Sequence, residues 1–498
     1  MILLLLLLVP FAAGVASWFA RRLASMEAIN LAAFGLTAIL ALGLAAQVLH
    51  EGAVSTFGGI LYADALSALV VGLTALVALL SGVYAVGYLR HDRSSGVFDD
   101  DPHGAPPEAK LRMYYALTPF FVAAMMLVAL ANNLGVMWVA IEATTLASVF
   151  LVTFYGRATS LEAAWKYAII GGVGLSMALF GTLVTYYSAR RLPGADTFSG
   201  LNWSMLAAHA GQLDKTGMRL AFILILLGYG TKAGIAPMHT WKPDAYSEAP
   251  VPSAAILSSA MLNCALYGLI RNFALADRCL GGGFAPRLLI LFGVLSMGLS
   301  VPFVLVQTNF RRLLAYHTID HTGIMVLALG VGGPIGTLGL MLHMTYHTIA
   351  KSLLFLCAGN VFQHYRTDVF HDIKEGVIRA MPLTGAIFLM ATLAIVGMPP
   401  FSLFQSEFLI VNAAFLGGHT LAGVLFVLFG TGVFAGAVLH VGKLVLGPSP
   451  AFPAPAPPRP WRNSALVVLG AFLIGIAFWL PAPLLALIRG AAQVVGGQ

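Results

Sequence analysis

Charge is what this chain has least of. Only 9% of its 498 residues are Asp, Glu, Lys or Arg, against 59% hydrophobic, and its mean hydropathy is +0.88. A soluble domain carries about 25% charged residues. That scarcity excludes a soluble globule and predicts an all-α polytopic membrane protein. Cysteine is nearly missing as well: Cys264, Cys279 and Cys357 lie far apart and no CxxC occurs. Neither an iron–sulfur nor a zinc–thiolate site is expected, and no cofactor or metal is expected. The net charge of +7 comes without a basic stripe or basic–aromatic alternation, so nucleic acid is excluded as a partner. No positive segment precedes the opening apolar run; Arg21 and Arg22 follow it. The start therefore reads as a first transmembrane helix, not a signal peptide.

What the chain has in abundance is apolar runs of ~20 residues, each long enough to cross a bilayer. They cover 2–20, 28–49, 63–89, 114–131, 133–154, 162–187, 219–241, 253–274, 286–307, 312–330, 335–360, 381–416 (broken), 420–446 and 464–487. The expectation is about 14 transmembrane helices by that length criterion. Strands of a membrane barrel would be ~10 residues with alternating polarity. With the amino terminus outside, the inner loops carry 17 lysines and arginines, Lys242 among them, and the outer loops 8. The positive-inside rule then puts both termini on the periplasmic side of a bacterial inner membrane. Three polar stretches stand out: 90–112, 188–216 with room for an outer amphipathic segment, and the proline-rich linker 447–461. The acids Asp99–Asp101 read as a solvated loop. Asp64, opening a long apolar helix, reads as a cap or interface residue.

One stretch organises the rest: Gly228 to Pro252, GYGTKAGIAPMHTWKPDAYSEAPVP. It places Lys232 inside a membrane helix and Pro237 five residues later, where the helix must break. Charge beside a broken membrane helix marks a functional site. A second break is expected at GMPP, 397–400, with Glu407 close by, five helices later. Five-helix units in succession have opposite orientation in the membrane, the inverted-repeat plan of many transporters. The expected division is 1–112, an N-terminal three-helix segment; 113–274 and 275–446, two inverted repeats each forming a half-channel; and 447–498, linker and last helix.

Other titratable residues fall in apolar surroundings. Glu142 sits in MWVAIEATTLAS, and His343, His347 and Lys351 recur at i, i+4, i+8 on one helix face, spread over roughly 12 Å. His239, His317, Asp320, His321 and Asn263 are auxiliary candidates. Such residues suit proton relay: desolvation disfavours the charged form, which brings lysine and glutamate exchange toward neutral pH, where histidine already exchanges. An acid and a lysine on different helices can also pair, and breaking the pair loads or releases a proton. His343/His347 and His317/His321 have helical metal-ligand spacing, yet no HExxH carboxylate or cysteine assists them. Hydrogen-bonded packing is the plain alternative for each histidine. Three titratable groups in register on one helix argue for the relay.

These motifs carry a resemblance. KAGIAPMHTWKPDAYSEAPVPSAAILSSAML, RRLLAYHTIDHTGIMVLALG, HMTYHTIAKSLLFLCAGNV and MPPFSLFQSEFLI are similar to the antiporter-like proton-conducting subunits of respiratory complex I, multisubunit cation/proton antiporters and group 4 nickel–iron hydrogenases. The likeness runs from about Asp64 to about Lys443, and within the family it is greatest to hydrogenase-4 component F and formate-hydrogenlyase-type subunits. With residue 498 soon after the last expected span, no long lateral helix is expected. The resemblance implies that Glu142 and Lys232 are partners, that His343, His347 and Lys351 form the central relay, and that Glu407 leads to the outer exit. It implies a subunit without its own redox centre, beside further antiporter-like subunits and a quinone- or hydrogenase-arm anchor. The family's eighth-helix lysine or histidine has no counterpart in SSAMLNCALYG, which offers Asn263 and serines. A cation/proton antiporter or an inorganic-carbon uptake complex, without redox chemistry, would use the same fold. A purely structural anchor gives no reason for so many buried charges.

Overall fold

The computed structural model describes residues 1–98, 106–192, 194, 198–373, 376–447 and 460–496. Asp99–Asp101, residues 448–459 of the proline-rich linker, and Lys374 and Arg459 of the charge count lie outside the described residues.

Every expected apolar run falls on helix. The order is α1 (Ile2–Phe19), α2 (Leu23–Glu51), α3 (Ala65–Ser94), α4 (Pro107–Leu130), α5 (Leu134–Val152), α6 (Ala158–Ala189), α7 (Trp203–Ala208), α8 (Lys215–Ala233), α9 (Trp241–Glu248), α10 (Val251–Ile256), α11 (Leu262–Leu280), α12 (Phe284–Val306), α13 (Phe310–Val331), α14 (Gly333–Tyr365), α15 (Val377–Ala380), α16 (Pro382–Ile395), α17 (Ser402–Leu416), α18 (Thr420–Leu446), α19 (Pro460–Phe478) and α20 (Ala482–Gly496). Among the described residues, 10 helices are long and apolar enough to cross a membrane, counting α10 and α11 as one run, Val251–Leu280. The chain is a multi-pass membrane protein. Side-chain caps set several helix starts. Asn133 accepts from Gly135 and Val136, Asn309 from Arg311 and Arg312, and Asp214 from Gly217.

Three features depart from the all-helical outline. Residues 54–63 form a hairpin, β1 (Val54–Thr56) antiparallel to β2 (Leu61–Ala63), with Ser55 opposite Tyr62. Phe57, Gly58 and Gly59 turn it with positive φ. The last expected span, 464–487, is two helices, α19 and α20, interrupted around Pro481. Gly87 of α3 meets Arg462, and Ala65 meets Gly490, so α19 and α20 lie along opposite ends of α3. A π-helical turn, Leu257–Met261, joins α10 to α11.

Small residues let the inner helices approach closely. A Cβ at Gly228 of α8 would lie 2.7 Å from the Gly174 carbonyl of α6, and one at Gly293 of α12 would lie 2.8 Å from the Gly323 carbonyl of α13. At the centre is α14, packed by α3, α10, α13, α16, α17, α19 and α20 and buried along most of its length. Large apolar side chains such as Leu42, Trp165 and Leu421 face outward, as a lipid-facing surface requires. Asp64 does cap α3, accepting from the Ser67 amide at 3.0 Å, and it also takes both arms of Arg271 at 2.6 and 2.7 Å. Arg271, counted with the outer loops, is therefore a buried residue of α11 that also stacks 4.2 Å from the Trp203 ring.

Candidate functional site

Helix α8 stops at Ala233, before Pro237 is reached, because Gly234 turns left-handed (φ +72°). An L-residue other than glycine, asparagine or aspartate rarely adopts that conformation. The chain crosses residues 234–240 and restarts as α9 at Trp241. The Trp241 indole donates to the Thr231 carbonyl at 2.9 Å and its ring stacks on Tyr167 at 4.5 Å, which ties the two half-helices together. Lys232, 1% exposed, donates to Thr145 Oγ1 at 2.8 Å and to the Tyr167 hydroxyl at 2.6 Å. Tyr167 is also bonded to Ser148 Oγ at 2.7 Å. Glu142 lies one turn before Thr145 on α5, half-buried, with Oε2 unpartnered. Among the described residues no ion pair within 4 Å joins Glu142 to Lys232, whose amine is bonded to Thr145 and Tyr167 instead.

Across the bundle, α13 and α14 bring four histidines together. The His321 ring lies 5.1 Å from both His343 and His347, and 6.4 Å from His317. His321 Nδ1 and His343 Nε2 share a hydrogen bond of 3.0 Å. His343 Nδ1 then meets Ser406 Oγ of α17 at 3.0 Å, next to Glu407. One ligand-type atom from each of His321, His343 and Glu407 lies within 4.8 Å of the others. These three could surround a cation, but the direct bond between His321 and His343 satisfies the facing nitrogens by proton sharing. Lys351 is wholly buried, and its Nζ, both His347 nitrogens, His321 Nε2 and His317 Nδ1 have no hydrogen-bond partner among the described residues. Buried polar atoms left so by the protein call for water or an exchanging proton.

The second break repeats the first in backbone. α16 ends at Ile395, Gly397 is left-handed (φ +71°), and α17 begins at Ser402. A Cβ at Gly397 would collide with the Glu407 carboxylate, so this glycine seats the acid.

The expected relay residues thus separate into two sites. Lys232 lies at the first break, with Glu142 one turn from its partner Thr145. His343, His347, Lys351 and Glu407 lie along α14 and α17, joined by His317 and His321. Asp320 accepts from Ser300 Oγ at 3.2 Å, and His239 is buried near the first break, its Nδ1 without a partner among the described residues. Asn263, just past the π turn, donates to Thr348 Oγ1 of α14 at 2.7 Å, with Oδ1 left over. His321, an auxiliary candidate by sequence, lies 5.1 Å from both His343 and His347. Lys242, counted by sequence as an inner-loop cation, has 0% exposure. Its aromatic and proline neighbours in TWKPDAY were the available signal.

Residues 131–434 match the family described as NADH:quinone oxidoreductase/Mrp antiporter, TM. The chain is 36% identical over 389 residues to a hydrogenase-4 component F homolog of Methylacidiphilum infernorum, covering 78% of each chain. It is 27% identical to NADH-quinone oxidoreductase subunit N of Salinispora arenicola, over 97% of this chain and 94% of that one. Its fold is similar to a chain of the Mrp complex from Dietzia sp., with a TM-score of 0.85 at 20% identity over 99% and 97% of the two chains. The chain belongs to the antiporter-like membrane subunits of the NADH:quinone oxidoreductase/Mrp antiporter family.

Proposed function

We propose that this chain translocates protons as an antiporter-like subunit of a respiratory redox complex, of hydrogenase-4, formate-hydrogenlyase or NADH:quinone oxidoreductase type. The observation that carries the reading is the interior sequence of exchangeable groups. Lys232 is held by two hydroxyls, and the shared proton of His321 and His343 leads through Ser406 to Glu407. Buried titratable groups in a membrane interior are costly and belong to ion pathways. Residues 113–274 and 275–446 are the two inverted repeats, each centred on one break. Both termini face the periplasm and the membrane is a bacterial inner membrane.

In this mechanism an electrostatic or conformational change from the neighbouring subunit closes or opens the contact between Glu142 and Lys232. With Glu142 distant, Lys232 gives up its proton toward the histidines. His347, His321 and His343 pass it on by exchanging donor and acceptor roles, and Glu407 releases it outside. The partners are further antiporter-like subunits and a quinone- or hydrogenase-arm anchor subunit, which does the electron chemistry. The hydrogenase-4 component F homolog, at 36% identity, favours the redox partner. The likeness to a chain of the Mrp complex favours the second reading, a cation/proton antiporter or inorganic-carbon uptake subunit.

The test is Lys232→Met in everted vesicles carrying the whole complex. Proton transport is expected to vanish while electron transfer to artificial acceptors continues. Undiminished pumping would refute the reading. Co-purification in mild detergent separates the two partner sets: redox subunits for the first, small antiporter subunits or a zinc-containing partner for the second.

A further inference from the structure

Lys242 is the buried charge that the pathway above leaves unused. It sits in the first turn of α9, immediately beyond the first break, with 0% exposure. Among the described residues no carboxylate forms an ion pair with it, and Asp244, two residues on, pairs with Lys166 and Arg312. A leucine would fill that space without burying a polar group. Its position joins the two sites. A Cβ at Gly234, two residues beyond Lys232, would overlap the Cδ and Cε of Lys242 and lie 2.8 Å from its Nζ. The glycine therefore makes the slot through which the side chain runs. At the far end, Nζ donates to Thr322 Oγ1 at 3.4 Å. Thr322 follows His321 on α13 and passes its own proton to the Thr318 carbonyl at 2.6 Å. Through His321, whose ring lies 5.1 Å from that of His347, this end of the slot reaches the cluster.

We propose that Lys242 is the proton station joining the Lys232 break to the histidine cluster of α13 and α14. The inference rests on the reading of the chain as a proton conductor. The amine accepts a proton released at the Lys232 end and returns it toward the unpartnered nitrogens of His347. It exchanges an N–H proton at each step and forms no other bond. Asn263, bonded through its amide to Thr348, offers no titratable group for this step. Lys242 supplies one from the other side of the gap.

The experiment compares proton transport in everted vesicles carrying the assembled complex, energised by the reaction of that complex. The chains compared are the wild type, Lys232→Met, Lys242→Gln and Lys242→Leu. Glutamine keeps the length and the hydrogen bond to Thr322 but cannot take up a proton. Leucine removes the buried amine altogether and safeguards folding. Both Lys242 variants are expected to assemble at wild-type levels, to leave the uncoupled driving reaction intact, and to lose transport at least about tenfold, as loss of a positioned acid–base group does. If Lys242→Gln fails to assemble, Lys242→Leu decides. Wild-type transport in either assembled Lys242 variant, with Lys232→Met inactive, overturns the role of Lys242 and leaves the proton-conducting reading standing. Wild-type transport in Lys232→Met refutes that reading and this inference with it.

Discussion

The two helix breaks are built alike and placed differently. In each, a left-handed glycine ends the first half-helix, and a side chain of the second half occupies the space its Cβ would take: Lys242 at Gly234, Glu407 at Gly397. The first break is enclosed, with Lys232 and Lys242 both buried and the neighbouring run Val251–Leu280 buried throughout its apolar window. The second opens at its edge, where Glu407 is half-buried and Met398 is 40% exposed. An enclosed pair of amines with no carboxylate in an ion pair among the described residues suits an inner station at the first break. A partly buried acid close to the exposed Met398 suits hand-over to the outside at the second. In the proposed function, one backbone device serves as an inner station and as an exit.

Substitutions at the two breaks test that contrast. Lys232→Met has the largest expected effect, at least a hundredfold loss of vesicle proton transport, because it deletes the only amine bonded to Tyr167 among the described residues. Gly234→Ala comes next. It forces a left-handed alanine, costing about 1–3 kcal/mol, and drives Lys242 from an enclosed slot; about a tenfold loss of transport is expected, with a lowered melting temperature of the purified complex. Gly397→Ala carries the same backbone cost, but Glu407 lies at the bundle edge near exposed Met398 and its flexible side chain can shift, so a loss of only a few-fold is expected, roughly 1 kcal/mol in barrier. Equal losses in the two alanine variants would remove the distinction between enclosed station and open exit. Met398→Ala should change stability by less than about 0.5 kcal/mol and leave transport within about twofold, as measured by thermal melting and vesicle assay.

Much of this was legible in the sequence, because the governing rules are local. Apolar length marks the helices, and the glycine–proline spacings GIAP and GMPP mark both breaks. The spacing of His343, His347 and Lys351 fixes one polar helix face. What escaped depends on which helices meet. His317 and His321 carry the same i, i+4 signal as His343 and His347, yet only the packing of α13 on α14 puts His321 between the other two. Lys242 followed a helix-breaking proline in a polar stretch, where charge counting assigns a loop. Its burial comes from a slot under Gly234 and from Thr322, 80 residues away. The hairpin at 54–63 and the interruption near Pro481 escaped for a simpler reason: a length criterion reads spans and not their endings.

The central claim is a single proton route from the enclosed break to the open one through the hydrogen bond between His321 and His343. Its most direct measurement is the initial rate of proton transport by the reconstituted complex carrying His321→Phe, which keeps an aromatic ring of similar size but cannot exchange protons. The account predicts an assembled complex whose rate falls at least about tenfold. A wild-type rate in that variant would contradict it.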